Sequence, residues 1–318
     1  MRLVPPRLTL RLGALLAVVA LLAACVSTGG SSGSPSPAAS GSAPAASGEP
    51  TVLPVIVSSE QVVGPNRLLF SFLDPSGTRP VATEDRTASV RLWPDARGEA
   101  AAISADGRFI WAIPDVTGIY VAYVDLAEAG PWTAEFTTSL PGGPEEVLRF
   151  GFDVQQTGFA KRIGDVAAPV RTPTLADVGG DVRQLSTDPV PVERFYETSV
   201  DDALAAGRPF VLVFATPLFC TSATCGPLLE QTKIAAAAHP DLTVINVEPY
   251  RMEWTDERLQ PILGDQGQLQ PIEAVETYGI LSEPWIYVVG ADGTITAVFE
   301  GAVAADELEA AFAAVDGT

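Results

Sequence analysis

The stretch Phe210 to Pro227, FVLVFATPLFCTSATCGP, decides how the C-terminal half of the chain is interpreted. Its first six residues form a continuous apolar run, which is typical of a strand buried on both faces. Gly226-Pro227 predicts a helix start, because proline near the first helical position loses no hydrogen bond. Two cysteines, Cys220 and Cys225, therefore fall between a buried strand and a helix.

The residues that follow predict further alternation of strands and helices. After the helix begun at Gly226, the order is a second buried strand, a helix, a hairpin and a closing helix. These elements are predicted at Leu242 to Val247, Ile272 to Tyr278, Trp285 to Phe299 and, for the last helix, around Leu308, Phe312 and Val315. The inserted region Tyr250 to Pro271 is interpreted as surface elaboration, with partner recognition as the alternative.

This order, with FVLVFA before a CGP helix start and Glu283-Pro284-Trp285 before the hairpin, resembles the thioredoxin family over roughly Pro209 to Val315. The resemblance implies an α/β thioredoxin-like fold with a redox cysteine at the helix start and a cis-proline facing it. Cys225 then takes the nucleophilic position, Cys220 is its partner, and Pro284 is the cis-proline. The family's usual C-G-P-C motif differs, because four residues separate the cysteines here.

The first half of the chain predicts an all-β immunoglobulin-like sandwich over residues 51–155. Five strand-like runs are separated by turn sequences such as Asp106-Gly107, and Trp132 to Phe136 alternates between apolar and polar residues. A connector rich in proline, threonine and aspartate follows over residues 156–200, and residues 201–318 form the predicted thioredoxin-like domain. No cysteine, histidine or acidic cluster marks a site in the sandwich, which favours a structural or docking module.

The N-terminal residues are interpreted as a lipoprotein signal peptide. Residues 1–25 combine early arginines, a short apolar run and the ending Leu-Ala-Ala-Cys25, which resembles the bacterial lipobox. Cys25 is accordingly predicted to be lipidated and to begin the mature chain. Residues 26–50 are almost entirely Ser, Gly, Pro and Ala and predict a flexible tether. The expected location is therefore the outer face of the cell membrane, through a lipid anchor.

Composition excludes some function classes. The formal net charge is -20, and nucleic-acid binding needs clustered positive charge, so no nucleic-acid partner is expected. No phosphate loop or nucleotide fingerprint occurs, and no cofactor is predicted. The expected partners are thiols or disulfides of other exported proteins.

A helix start stabilises an anion, so the sequence predicts a lowered thiol pKa at Cys225. Thiol-disulfide exchange is the function this favours, with Phe219 and Trp285 as an apolar rim for a partner chain. The alternative is a binding module in which the two cysteines form a permanent structural disulfide. A third hypothesis is the handling of copper or another metal, but the only histidine, His239, is predicted at the far end of the helix.

Overall fold

The computed structural model describes residues 49–317, which contain fourteen strands and four α-helices. The first eight strands are β1 (Leu53–Ile56), β2 (Gly64–Leu73), β3 (Thr87–Pro94), β4 (Ile103–Asp106), β5 (Arg108–Ile113), β6 (Thr117–Leu126), β7 (Gly130–Ser139) and β8 (Glu146–Val154). Then come α1 (Val200–Ala205), β9 (Phe210–Phe214), α2 (Cys225–Ala238), β10 (Thr243–Val247), β11 (Met252–Thr255), β12 (Arg258–Pro261), α3 (Glu273–Tyr278), β13 (Trp285–Val289), β14 (Ile295–Glu300) and α4 (Ala305–Ala313). The predicted leader, Cys25 and nearly all of the tether lie outside the described residues. None of these four helices is long and apolar enough to cross a lipid bilayer.

Two four-stranded antiparallel sheets face each other in the first half. Their strand orders are β1-β2-β6-β5 and β4-β3-β7-β8. Alternate residues of each strand point inward, as the period of two requires. The resulting core includes Leu68, Phe70, Phe72, Val90, Leu92, Tyr120, Trp132, Ala134 and Phe136. All five strands predicted from the sequence form, and the sandwich is consistent with the all-β immunoglobulin-like prediction.

A four-stranded mixed sheet lies at the centre of the second half. Its order is β10-β9-β13-β14, with β9 and β10 parallel and β13 antiparallel to both of its neighbours. Helices α2 and α4 cover one face, and α1 and α3 cover the other. All five residues of β9 are fully buried as a result, which accounts for the continuous apolar run in the sequence.

The predicted fold class is wrong in its α/β, thioredoxin-like part. The described chain is a mostly-β protein in which only 18% of the residues are helical. Helices α1 and α3 have six residues each, because Pro209 and the left-handed Gly279 follow soon after them. The polar connector forms only short 3-10 turns, and an extra hairpin, β11–β12, lies within Tyr250 to Pro271.

The two halves share an interface made of apolar and polar contacts. Leu69, Ile110, Ile119 and Val121 point away from the sandwich core and pack with Ala302 of the second half. Arg67 of β2 forms an ion pair with Glu307 of α4 at 2.8 Å. The Ser59 N–H donates to the Glu300 carboxylate at 2.9 Å, and Glu300 pairs with Trp285 across β14 and β13. The outer face of one sandwich sheet is therefore covered by the second half.

Candidate functional site: a disulfide at a helix start

A disulfide joins Cys220 and Cys225 in the loop between β9 and α2. β9 ends at Phe214, and Cys225 is the first residue of α2. The two Cα atoms are 6.0 Å apart, which lies within the usual range for a disulfide. The bridge thus ties the loop to the first turn of a fourteen-residue helix.

The two sulfur-bearing residues have different surroundings. Cys225 is fully buried, whereas Cys220 is half-buried. The Cys225 N–H has no partner within α2, because it lies in the first turn of the helix, and it donates to the Cys220 sulfur at 3.2 Å. The Ser222 hydroxyl lies 3.4 Å from the same sulfur. Both the helix-start N–H and the access from solvent therefore favour Cys220 as the more reactive sulfur.

A buried carboxylate, Glu283, faces the disulfide from the loop before β13. Glu283 is 5% exposed, and its carboxylate oxygen and both sulfurs lie within 4.8 Å of one another. Its Oε1 accepts hydrogen bonds from the Thr221 N–H at 2.9 Å and the Thr221 hydroxyl at 3.0 Å. Its Oε2 accepts one from the Tyr250 hydroxyl at 2.6 Å. Burial and the neighbouring Glu283 carboxylate raise the pKa of Tyr250, which keeps this phenol a donor.

Pro284 lies next to the disulfide loop. The Glu283–Pro284 bond is cis, as predicted from the sequence. The Ser222 hydroxyl donates to the Glu283 carbonyl at 3.1 Å, so the cysteine loop and the proline loop are joined by backbone as well as side-chain contacts. The sequence analysis identified Pro284 as a site residue, but it named Glu283 only as the residue before that proline and assigned no role to Glu283 or Tyr250.

The predicted rim residues do not form one surface. Phe219 is half-buried and lines a cavity of about 460 Å³ with Leu218 and Trp254. Trp285 is buried, stacks on Tyr287 and lines a different cavity at the junction of the two halves. The expectation of a shared Phe219 and Trp285 rim is therefore not met.

Two exposed leucines lie in the loops that carry Cys220 and Glu283. Leu218 is 67% exposed in the cavity beside Phe219. Leu281 is 64% exposed in a second cavity of about 570 Å³, which Tyr250 and Glu283 also line. Large apolar side chains in open cavities next to a reactive group are common at sites that bind other chains. Their positions, two residues before Cys220 and three before Pro284, are the sequence signal that could have identified them.

A second buried carboxyl group, Glu248, is linked to the disulfide loop through Thr187. Glu248 follows β10, is 6% exposed and accepts a hydrogen bond from the Thr187 N–H at 2.6 Å. The Thr187 hydroxyl in turn accepts one from the Leu218 N–H at 3.2 Å. Burial raises the pKa of Glu248 to about 7, although the hydrogen bond from Thr187 opposes the rise. No local sequence pattern indicates Glu248, because its burial depends on tertiary packing.

The histidine considered for copper binding lies away from the sulfurs. His239 follows the last residue of α2, about 20 Å from its start by helix geometry. Its Nδ1 lies 2.5 Å from Asp316 and its Nε2 lies 3.3 Å from Glu309. The hydrogen bond to Asp316 is the main cause of a raised His239 pKa, while burial opposes the rise. His239 thus anchors the C-terminal residues to α2.

Cys220, Cys225 and Glu283 are the side chains in the described part of the chain that lie close enough to share a metal ion. A metal would need both cysteines as thiolates. In this structure both sulfurs are joined to each other.

No family model and no curated protein matches the chain. Among solved structures, a DUF4426 family protein from Pseudomonas aeruginosa PAO1 is 8% identical, covering 30% of this chain and 76% of its own, with a TM-score of 0.22. Murine CRIg is 9% identical, covering 33% of this chain and 98% of its own, with a TM-score of 0.20. Similarities of this size support no conclusion about fold or function.

Proposed function

We propose that this protein is a lipid-anchored, extracytoplasmic thiol-disulfide exchange protein that acts on disulfides or thiols of other exported proteins. One observation carries the proposal: the half-buried Cys220 sulfur accepts the N–H at the start of α2, while its partner Cys225 is fully buried. A donor at a helix start stabilises a thiolate, and a thiolate open to solvent can attack another disulfide.

These contacts favour Cys220 as the attacking cysteine and Cys225 as the resolving one, the reverse of the roles assigned from the sequence. The Cys220 thiolate attacks one sulfur of a partner disulfide, forms a mixed disulfide and releases the other partner sulfur as a thiolate. The Cys225 thiolate then attacks the Cys220 sulfur and releases the second partner sulfur. The partner disulfide gains two electrons and two protons, and the Cys220–Cys225 disulfide is restored.

The partner surface in this proposal consists of Leu218, in the loop that carries Cys220, and Leu281, in the loop that carries Glu283. Both side chains are mostly exposed and lie in cavities large enough for apolar side chains of an extended segment. Unfolded or partly folded exported proteins expose such apolar segments next to their cysteines.

Single cysteine variants of the full chain test the proposal. Cys225→Ser should accumulate a mixed disulfide through Cys220 when mixed with a peptide that contains one disulfide, because the resolving thiol is gone. Cys220→Ser should accumulate none, because the remaining thiol is buried. Peptide mapping by mass spectrometry identifies the bonded cysteine and separates Cys25 from the pair.

Three results would contradict parts of the proposal. Trapping by Cys220→Ser alone would return the attacking role to Cys225 and leave exchange intact. Absence of trapping by either variant would exclude exchange. If, in addition, the wild-type bridge resists glutathione and both variants melt at much lower temperature, the disulfide is a structural one.

The membrane anchor belongs to the same proposal and rests on the sequence ending Leu22-Ala23-Ala24-Cys25 and the Ser/Gly/Pro/Ala-rich residues after it. Mass spectrometry of the protein from native membranes should find a mature chain that begins at lipidated Cys25. An unmodified N-terminus elsewhere, or release of the protein into the medium, would contradict the anchor without affecting the exchange chemistry.

A further inference from the structure

Glu283 is a buried acidic group that is paired with no positive charge among residues 49–317. It is 5% exposed, and all its hydrogen-bond donors are neutral: the Thr221 N–H, the Thr221 hydroxyl and the Tyr250 hydroxyl. The Thr221 N–H must donate and both hydroxyls can donate, which is an arrangement that suits an ionised carboxylate. A fixed negative charge therefore lies within 4.8 Å of both sulfurs.

This charge acts differently on the two redox states of the cysteine pair. The disulfide is neutral, so a neighbouring carboxylate has little electrostatic effect on it. Reduction creates thiols whose ionised form is negative, and two like charges less than 5 Å apart repel each other when one of them, Glu283, is buried. Glu283 thus opposes the Cys225 N–H, which stabilises negative charge on the Cys220 sulfur.

We propose that Glu283 sets the direction of exchange, by destabilising the thiolates and so making the reduced pair a donor of electrons to partner disulfides. This inference rests on the proposed exchange function. Stabilised thiolates make a dithiol pair oxidising, and destabilised ones make it reducing. Each turnover transfers two electrons and two protons from the Cys220/Cys225 dithiol to the partner disulfide, and a dithiol donor must then reduce the pair again.

Glu283→Gln tests the inference, because it keeps the size of the side chain and removes its charge. The rate of alkylation of reduced full-length protein is measured against pH, and peptide mapping isolates Cys220. The substitution should increase the acid dissociation constant of the Cys220 thiol about tenfold or more. In dithiothreitol redox buffers near pH 8, its disulfide should become easier to reduce by up to about tenfold, or about 30 mV.

Glu253→Gln is the matched control. Glu253 is an exposed residue of β11, so this substitution removes the same charge from the protein surface. This control should change neither the acidity of the Cys220 thiol nor the reduction potential of the disulfide. A chelator in every buffer is needed, because two thiolates and a carboxylate also suit a divalent metal.

Tyr250→Phe provides a second variant with the opposite expectation. It removes one of the donors that partly neutralise the Glu283 carboxylate, so the Cys220 thiol should become less acidic and the pair more reducing. This variant keeps the inference testable if Glu283→Gln does not fold, which circular dichroism would show.

An unchanged or weaker Cys220 acidity in folded Glu283→Gln would overturn the inference, and slower exchange with unchanged potential would assign Glu283 a proton-transfer role instead. Either result leaves the proposed function intact, provided that Cys225→Ser still traps a mixed disulfide. Loss of trapping in Cys225→Ser contradicts the proposed function itself.

Discussion

Arg67 and Glu307 are 240 residues apart in the chain and form a bidentate ion pair across the interface between the two halves of the protein. Nε and Nη2 of Arg67 each donate to one carboxylate oxygen of Glu307 at 2.8 Å. The two side chains are only 10% and 7% exposed, and the guanidinium lies 5.5 Å from the Phe299 ring centre. Burial alone would raise the pKa of Glu307, but the Arg67 guanidinium holds it below its usual range.

Arg67→Ala should reduce the free energy of unfolding by about 3 kcal/mol, because it leaves the Glu307 carboxylate buried without its partner. Arg108→Ala is the matched control: its ion pair with Asp306 crosses the same interface, but the side chains are 47% and 69% exposed. We expect a loss below about 1 kcal/mol there. Urea unfolding of both variants measures the difference, and equal losses would contradict the assigned role of burial.

Glu248→Gln should remove a pH dependence of stability. The folded state keeps the Glu248 proton up to a pKa of about 7, whereas the unfolded state releases it near the ordinary value of 4.5. Protonated Glu248 therefore makes its full contribution to the free energy of unfolding below about pH 4.5. This contribution, about 3 kcal/mol, is lost as the pH rises to about 7. Compared with wild type, Glu248→Gln should be equally stable at low pH and more stable above about pH 8.

Urea unfolding at several pH values checks this expectation. Exposed Glu253→Gln serves again as the control and should follow the wild-type profile. A Glu248→Gln variant that is less stable than wild type above about pH 8 would show that the ionised carboxylate stabilises the fold, contrary to this expectation.

Gly279→Ala should destabilise the segment that leads to Glu283. Gly279 ends α3 with a φ of 69°, and a Cβ there would lie 1.8 Å from the Phe159 carbonyl oxygen. The backbone would have to move, and we expect a loss above about 2 kcal/mol. Gly98→Ala, at a φ of 67° with nothing within 4 Å of its Cβ, should cost only about 1 kcal/mol. Thermal melting distinguishes the two costs.

Replacing the exposed leucines should affect large substrates selectively. Under the proposed function, Leu218→Ser and Leu281→Ser should each lower kcat/KM for an unfolded, disulfide-bonded protein about fivefold, since each removes about 1 kcal/mol of apolar contact. Reduction of the wild-type and variant bridges by dithiothreitol should be equal. Val116→Ser, at a 73% exposed position in the sandwich, is the control. Equal loss with dithiothreitol would indicate a damaged loop.

Local sequence patterns predicted many of the strands and helices, whereas the fold class depends on tertiary contacts that those patterns do not contain. Three elements were predicted from a few consecutive residues: β9 from its apolar run, β7 from its alternation, and a helix start at Gly226-Pro227, which the structure has at Cys225. The fold class was wrong because strands, including the hairpin β11–β12 that the patterns did not predict, outweigh the helices in the described chain.

The same division holds at the candidate site. Cys220, Cys225 and Pro284 were identified by spacing and resemblance. Glu283 was missed because its importance comes from residues more than fifty positions away, Cys220 and Thr221. The burial of Cys225 below a more accessible Cys220 is likewise a property of packing, and no local pattern indicates it.

The hydrogen bond from Ser59 to Glu300 has a consequence for genetics. Glu300 pairs with Trp285, the residue directly after Pro284, so the sandwich supports the strand next to the disulfide loop. Under the proposed function, a selection for lost disulfide exchange should therefore recover alleles in residues 51–155, which contain no cysteine. Suppressors of such alleles should map to β14 and α4, at the positions that face them. Mutations in both halves would then fall into one complementation group with one phenotype.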